Sequence, residues 1–309
     1  MTRARATGLS LTSWVLFASS GPLAKSVMDA GWSPAATTAV RIGLAALLLV
    51  PYVAIQRPQA LRFHRKDLWL PLAYGLLGVA GVQLSFFIAV ERIPVGTAMV
   101  LVNLSPVLVA LWIRTVRHTQ LPIQVWLGIG LALTGLVLIS GPTARLDILG
   151  VAAGLASAVC SAGYFLLGEH GAQRHDSLGL TAAGLTIGAI AVLALSPLWT
   201  INAGNGTIGQ AKVWLIFLTL AGFGTVLPYL AGLRALRDLP VALAGVLALA
   251  EPLVATLLAW LLLDQAPGAT QLTGIAVLIL GAALVSGHAG NQHTRHSHSP
   301  DVTSSPPRP

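Results

Sequence analysis

At 309 residues, 55% of them apolar and only 9% charged, the chain departs from soluble proteins, in which about a quarter of residues are charged. Its polar stretches, chiefly 56–67, 200–212 and the tail after Gly287, are too short to bury cores of their own, which excludes a soluble catalytic domain. The net charge of +8 is spread over short loops rather than gathered on a face with interleaved aromatics, so it points to membrane topology and not to nucleic acid.

A bilayer core of about 30 Å takes about 20 apolar residues per helix. The apolar runs predict ten spans, at 7–28, 33–55, 68–90, 94–114, 122–140, 147–168, 178–199, 212–234, 240–263 and 269–287. The first follows Arg3 and Arg5 and precedes Ala18, Ser19 and Ser20, a pattern shared with cleavable signals. Its match to a later helix, described below, argues that it is retained. Within it Pro22 marks a kink beside Ser19, Ser20 and Gly21, and Lys25 near the outer end can snorkel as an anchor or meet a substrate.

The second span carries Arg41 roughly 12 Å below the outer surface at 1.5 Å per residue. A guanidinium at that depth must be paired or face water. It can bind a substrate carboxylate bidentately, or act structurally by neutralising a carboxylate or coordinating backbone carbonyls. The third span holds Gln83, and the fourth holds Asn103, Ser105 and Pro106 within one turn. A proline withholds its backbone hydrogen bond, so Pro106 and Pro252 free the carbonyls of Val102 and Ala248, either to line a polar cavity or simply to kink their helices. The lone Cys160 of the sixth span rules out a disulfide framework. Tyr164, Tyr229, Gln83, Thr225, Trp14 and the Ser19-Ser20-Gly21-Pro22 segment are candidates for cavity lining or for packing and interhelical hydrogen bonding. The spacings Gly150–Gly154 and Gly184–Gly188 bring helices together within the bundle. Glu251 lies roughly 16 Å into the ninth span, near the bilayer centre, where an ionised carboxylate costs several kcal/mol unless paired, hydrated or protonated. It is a candidate for a proton or substrate-ammonium site, with a structural hydrogen bond to a neighbouring helix as the other reading. The tail histidines His288, His293, His296 and His298 lie in a Ser- and Pro-rich stretch, so disorder rather than a metal site is expected at 288–309.

With the N-terminus inside, 13 of the 18 basic residues fall on inner segments, against Arg92, Arg145 and Lys212 outside. The positive-inside rule then places both termini in the cytoplasm and requires an even number of spans. Shifting the sequence by 146 residues places Pro94 on Pro240, Pro106 on Pro252, Gly128 on Gly274 and Gly135 on Gly281, with 13 of the 48 positions from 94 to 141 identical. A shift of 142 places Gly8 on Gly150 and Gly21 on Gly163. The chain thus divides into five-helix units at 1–141 and 147–287. An odd helix count per unit inverts the second unit in the membrane, an architecture characteristic of secondary transporters with a midplane site between the halves. Glu251 falls on Ser105 in this register, so the acid occurs once.

The chain also resembles the EamA-type permeases of the drug/metabolite transporter superfamily over nearly its whole length. The matching residues are Ser33-Pro34 followed by Arg41, Ile93-Pro94 with Ser105-Pro106, Glu251-Pro252 with Asp264, and Gly274 with Gly281. Family members often carry Glu near the ends of helices four and nine; here His118 and Asp264 stand there. The resemblance implies an exporter of small metabolites, amino acids or drugs in a bacterial inner membrane. Neither a Walker A sequence nor HExxH or GxSxG occurs. The expectation is therefore a non-enzymatic secondary carrier working by alternating access, with proton coupling through Glu251 and Arg41 and no cofactor or metal. A channel, facilitator or lipid scramblase is the alternative. The partners expected are a small-molecule substrate, the bilayer and a second copy of the chain as a homodimer.

Overall fold

In a computed structural model, residues 2–93, 95–140, 147–195, 209–254 and 268–296 are described, and among them there is helix but no strand. The chain opens with α1 (Arg3–Ala18) and α2 (Ser20–Asp29), which part at Ser19, three residues before Pro22. Ser19 and Ser20 turn their hydroxyls back onto the carbonyls of Leu16 and Phe17, bonds that compete with regular helix. α3 (Pro34–Gln56) starts with Ser33 as N-cap, whose hydroxyl accepts from the Ala36 N–H, and with Pro34 at the first turn, where its missing donor costs nothing.

After two short 3₁₀ turns, α4 (Trp69–Ala73) runs through a π-helical stretch, Tyr74–Gly81, into α5 (Val82–Arg92). α6 (Val95–Val102) and α7 (Ser105–Thr115) are separated by a turn at Asn103-Leu104. α8 (Ile123–Ser140), α9 (Ile148–Arg174) and α10 (Ser177–Leu195) follow, α9 capped by Asp147 on the Gly150 N–H. α11 (Gln210–Ala221) passes through a second π stretch, Gly222–Val226, into α12 (Leu227–Leu236). α13 (Val241–Leu247) ends at a turn over Ala248-Leu249, beyond which helix resumes, and α14 (Ala269–His296) closes the described chain.

Six stretches are long and apolar enough to cross a membrane, among them Pro34–Gln56, Arg65–Arg92 and Gln210–Leu236, with shorter apolar helices beside them. Leu47, Ile55, Leu76, Ile148, Val159 and Leu215 expose large apolar side chains on the outside of the bundle, as lipid contact requires.

Lipid tails are as apolar as leucine, so helices are drawn together by close packing and polar contacts. The most extensive helix–helix contact is between α8 and α14. A Cβ on Gly135 would lie 2.5 Å from the Gly274 carbonyl oxygen, and one on Gly281 would lie 2.5 Å from that of Gly128. As residue number rises along one helix it falls along the other, so the two run antiparallel. Exchanging positions 146 apart turns the first contact into the second. Two polar contacts are related in nearly the same way: Ser13 donates to the Pro228 carbonyl at 2.7 Å and Ser157 to the Val82 carbonyl at 3.0 Å, the acceptors lying 146 residues apart and the donors 144. Thus α1 docks on α12 as α9 docks on α5.

Where both are described, the predicted spans agree with the helices to within a few residues except at two ends; the ends predicted at 199 and 263 lie outside the described residues. α9 continues to Arg174, where 168 was expected, because the polar run after Gly168 contains no proline to stop it. The tail expected to be disordered from 288 stays helical to His296: the first proline after Gly268 is Pro300, and helical hydrogen bonding needs no buried face. Residues 297–309, Pro94 and Asp264 lie outside the described residues. Gly150 and Gly154 pack against Arg92, Ile93 and Leu101, and Gly184 and Gly188 against Tyr74 and Val79, inside the bundle as expected.

Candidate functional site

The three proline-marked breaks and the two π stretches surround one cavity. Each helix break sits where a proline removes the restraint of a backbone hydrogen bond: Ser19 before Pro22, Asn103-Leu104 before Pro106, and Ala248-Leu249 before Pro252. These are interruptions rather than simple kinks. Val102 and Ala248, whose carbonyls the prolines cannot reach, both line the cavity. The Ala248 carbonyl is used locally, accepting the Glu251 N–H at 3.0 Å, and Asn103 turns its amide onto the Met99 carbonyl at 2.9 Å.

The cavity holds about 90 Å³ open to the centre of a water molecule, room for roughly six to nine waters. Arg41, Gln83, Asn103, Ser105, Tyr164, Tyr229 and Glu251 all line it. These are seven of the eight residues expected to bind substrate or a proton; of the further lining candidates, Trp14, Ser20 and Gly21 also line the cavity and Thr225 does not. The eighth, Lys25, lies in α2, and its side chain is outside the described residues. Aromatic walls and Ser161 were not anticipated: Phe17, Phe86 and Phe87 complete the lining, and Phe17 meets Tyr229 edge-on with ring centroids 5.3 Å apart.

Arg41 is buried, 3% exposed, and is held from the second π stretch. Its Nε donates to Thr225 Oγ1 at 2.7 Å and its Nη2 to the Gly224 carbonyl, while its guanidinium lies 5.8 Å from the Phe87 ring centroid. Thr225 in turn donates to the Leu220 carbonyl five residues back. Two of the five guanidinium N–H donors are thereby used. Of the structural roles foreseen for Arg41, carbonyl coordination is realised, whereas it forms no ion pair with Glu251 although both line the cavity. Glu251 is half-buried, and among the described residues its carboxylate has no hydrogen-bond partner.

Opposite the guanidinium, Gln83 Nε2 donates to the Tyr229 hydroxyl at 3.2 Å, and that hydroxyl donates to the Gly78 carbonyl at 3.0 Å. Gly78 and Gly224, whose carbonyls receive Tyr229 and Arg41, are 146 residues apart and lie one in each π stretch. A π turn shifts the backbone register and favours such free acceptors. The glycine-rich runs around Gly78 and Gly224 were the available sequence signal for it. Ion pairs lie farther out, Arg117 with Glu169, Arg57 with Asp176 at 3.5 Å and Arg92 with Asp147 at 4.0 Å. His118, which aligns with Asp264, adopts a left-handed φ of 52° beside Arg117 and does not line the cavity.

The EamA-like transporter family matches residues 5–141 and 148–287. The chain belongs to that family. The threonine/homoserine exporter RhtA of Salmonella typhimurium SL1344 is 28% identical over 270 residues, covering 87% of this chain and 85% of the relative. RhtA of Escherichia coli K12 is 29% identical over 266 residues, covering 85% and 83%. An uncharacterized transporter, YyaM of Bacillus subtilis 168, is 26% identical over 270 residues, covering 83% of this chain and 85% of the relative. A crystal structure of a protein 21% identical in sequence, with a TM-score of 0.76 over 96% of this chain and 100% of that one, shares the fold. The protein is therefore a membrane transporter and a multi-pass protein of the bacterial inner membrane, and the family and its named relatives are transporters rather than enzymes.

Proposed function

We propose that the chain exports small zwitterionic amino acids by alternating access. In this reading ten spans form two inverted five-helix repeats, with both termini cytoplasmic and proton movement coupled through Glu251. The observation that carries it is the cavity itself, which collects one cation and one carboxylate that do not pair with each other. An isolated charge at this depth costs several kcal/mol. A bound zwitterion lowers that cost at both ends, its carboxylate taking the spare guanidinium donors of Arg41 and its ammonium meeting Glu251. Glu251 offers the proton route because, with substrate gone, hydration or protonation is what remains to stabilise it.

The inverted repeat is supported by the antiparallel α8–α14 contact, which maps onto its partner when positions 146 apart are exchanged, and by the two serine contacts, whose acceptors are 146 residues apart and whose donors are 144 apart. Amino-acid export is supported by the RhtA relatives, whose name specifies threonine and homoserine. Counter-flow in proteoliposomes tests the reading. Preloaded threonine, homoserine or serine accelerates uptake of the same labelled amino acid, whereas N-acetylthreonine and threoninamide, each lacking one charge, do not. Equal acceleration by the derivatives would remove the zwitterion from the reading, and flux without exchange acceleration would make the protein a channel.

A further inference from the structure

Gln83 and Tyr229 touch each other and are 146 residues apart, so each is the other's counterpart under the exchange that relates the α8–α14 contacts. A contact between counterparts lies on the pseudo-two-fold axis. Around it the frame is nearly symmetric, with Ser13 on the Pro228 carbonyl and Ser157 on that of Val82. The relay at the axis is not. It runs one way, from Gln83 Nε2 to the Tyr229 hydroxyl and on to the Gly78 carbonyl. It also leaves a loose end: Gln83 Oε1 is buried and, among the described residues, has no hydrogen-bond partner. A buried acceptor left open is costly and calls for an explanation.

We propose that Gln83 and Tyr229 form a reversible positioning relay, in which opening to the opposite side of the membrane reverses the chain so that Tyr229 donates to Gln83 Oε1 and Gln83 Nε2 donates to the Gly224 carbonyl. This rests on the alternating-access reading, in which inverted repeats exchange conformations. Exchanging 83 with 229 and 78 with 224 in the observed relay gives the reversed one with no further assumption. The reversed relay satisfies the acceptor that is open here. It also brings a second donor to Gly224, the carbonyl that now holds Arg41; a carbonyl has two lone pairs and can accept both. Gln83 thereby acts on the Arg41 site for the substrate carboxylate through its anchor rather than by touching the substrate.

Two variants are expected to push the equilibrium in opposite directions. Gln83→Met removes one hydrogen bond and the open acceptor from the state described here, but both bonds of the reversed relay, so it favours this state. Tyr229→Phe removes both bonds of the present relay but only one of the reversed relay, so it favours the opposite state. With one hydrogen bond worth a factor of about five, each ratio moves about fivefold or more. The probe is a cavity cysteine, Ser161→Cys in a Cys160→Ala background, labelled with a membrane-impermeant maleimide from each face of sealed vesicles in turn. Opposite shifts in the ratio of labelling rates, cancelling in the double variant, support the relay. Two-faced labelling whose ratio does not move, or moves the same way in both variants, overturns it while leaving alternating access standing. Labelling from one face only in every variant overturns alternating access and the relay together. If Gln83→Met does not insert, Gln83→Leu carries the same expectation.

Discussion

Placing a methyl group on Gly135 tests the packing that joins the two units. The new Cβ would lie 2.5 Å from the Gly274 carbonyl oxygen, 2.5 Å from the Leu278 nitrogen and 2.8 Å from the Leu278 Cβ, against an ordinary contact of roughly 3.5 Å. Two of these neighbours are backbone and Leu278 is 1% exposed, so no flexible side chain can swing away. The helices must part by about 1 Å, and a gap of that size forfeits a quarter to a half of each dispersion contact along the seam. Overpacking of this kind costs about 1–3 kcal/mol, which for a chain of 309 residues corresponds to a fall of about 2–5 °C in the melting temperature of the detergent-solubilised protein. Gly281→Ala meets the Gly128 oxygen at the same 2.5 Å and is expected to cost as much. Gly130→Ala, on the same helix but with nothing within 4 Å, is the control and melts at or slightly above wild type, since alanine is the better helix former. Thermal scans followed by tryptophan fluorescence read all three. If Gly135→Ala and Gly281→Ala melted with wild type, or if Gly130→Ala fell with them, the close antiparallel seam would be refuted.

Glu251→Gln is expected to abolish flux driven by a pH gradient while retaining counter-flow, because the amide keeps its hydrogen bonds but cycles no proton; wild-type coupling in the variant eliminates the proton role. Arg41→Lys keeps the charge but loses the fork that reaches Thr225 and Gly224 together, so KM for threonine rises about tenfold with kcat little changed; an unchanged KM places the substrate carboxylate elsewhere. Reporter fusions after Arg117 and His288 read cytoplasmic and those after Arg92 and Asn205 read external, and an external His288 overturns the inverted topology.

The span positions were legible because lipid enforces one rule on every helix: about 20 apolar residues between polar breaks. The cavity-lining set was legible for a related reason. A polar side chain in an otherwise apolar span is costly unless it faces a neighbour or water, and seven such residues do converge. Partners were not legible. Arg41 and Glu251 invited pairing on charge alone, yet the guanidinium is held by Thr225 and Gly224, and hydropathy carries no information about which neutral acceptor a π turn will offer. The π stretches themselves leave the apolar pattern unbroken, since inserting one residue into a run such as Tyr74–Gly81 changes hydrogen-bond register rather than composition. Helix ends past the membrane, as in Ile148–Arg174 and Ala269–His296, escape hydropathy because helical propensity continues after apolarity stops.

A carrier built from two inverted copies faces a conflict between its motion and its cargo. Exchange between two facings works best when the copies are interchangeable, and the frame here is nearly so: the Gly135–Gly274 contact has its counterpart at Gly281–Gly128, and the Ser13–Pro228 contact has a near counterpart in Ser157–Val82, shifted by two residues at the serine. An amino acid is not interchangeable end for end. A two-fold symmetric site would offer like groups to its carboxylate and its ammonium, and one end would always meet the wrong charge. The binding groups therefore have to break the repeat, as they do: Glu251 stands where the first half has Ser105, and Arg41 comes from the first half alone, with both Ser105 and Glu251 lining the cavity. In the proposed carrier, the residues that bind the cargo are thus those at which the two halves disagree, and the residues that serve the motion are those at which they agree.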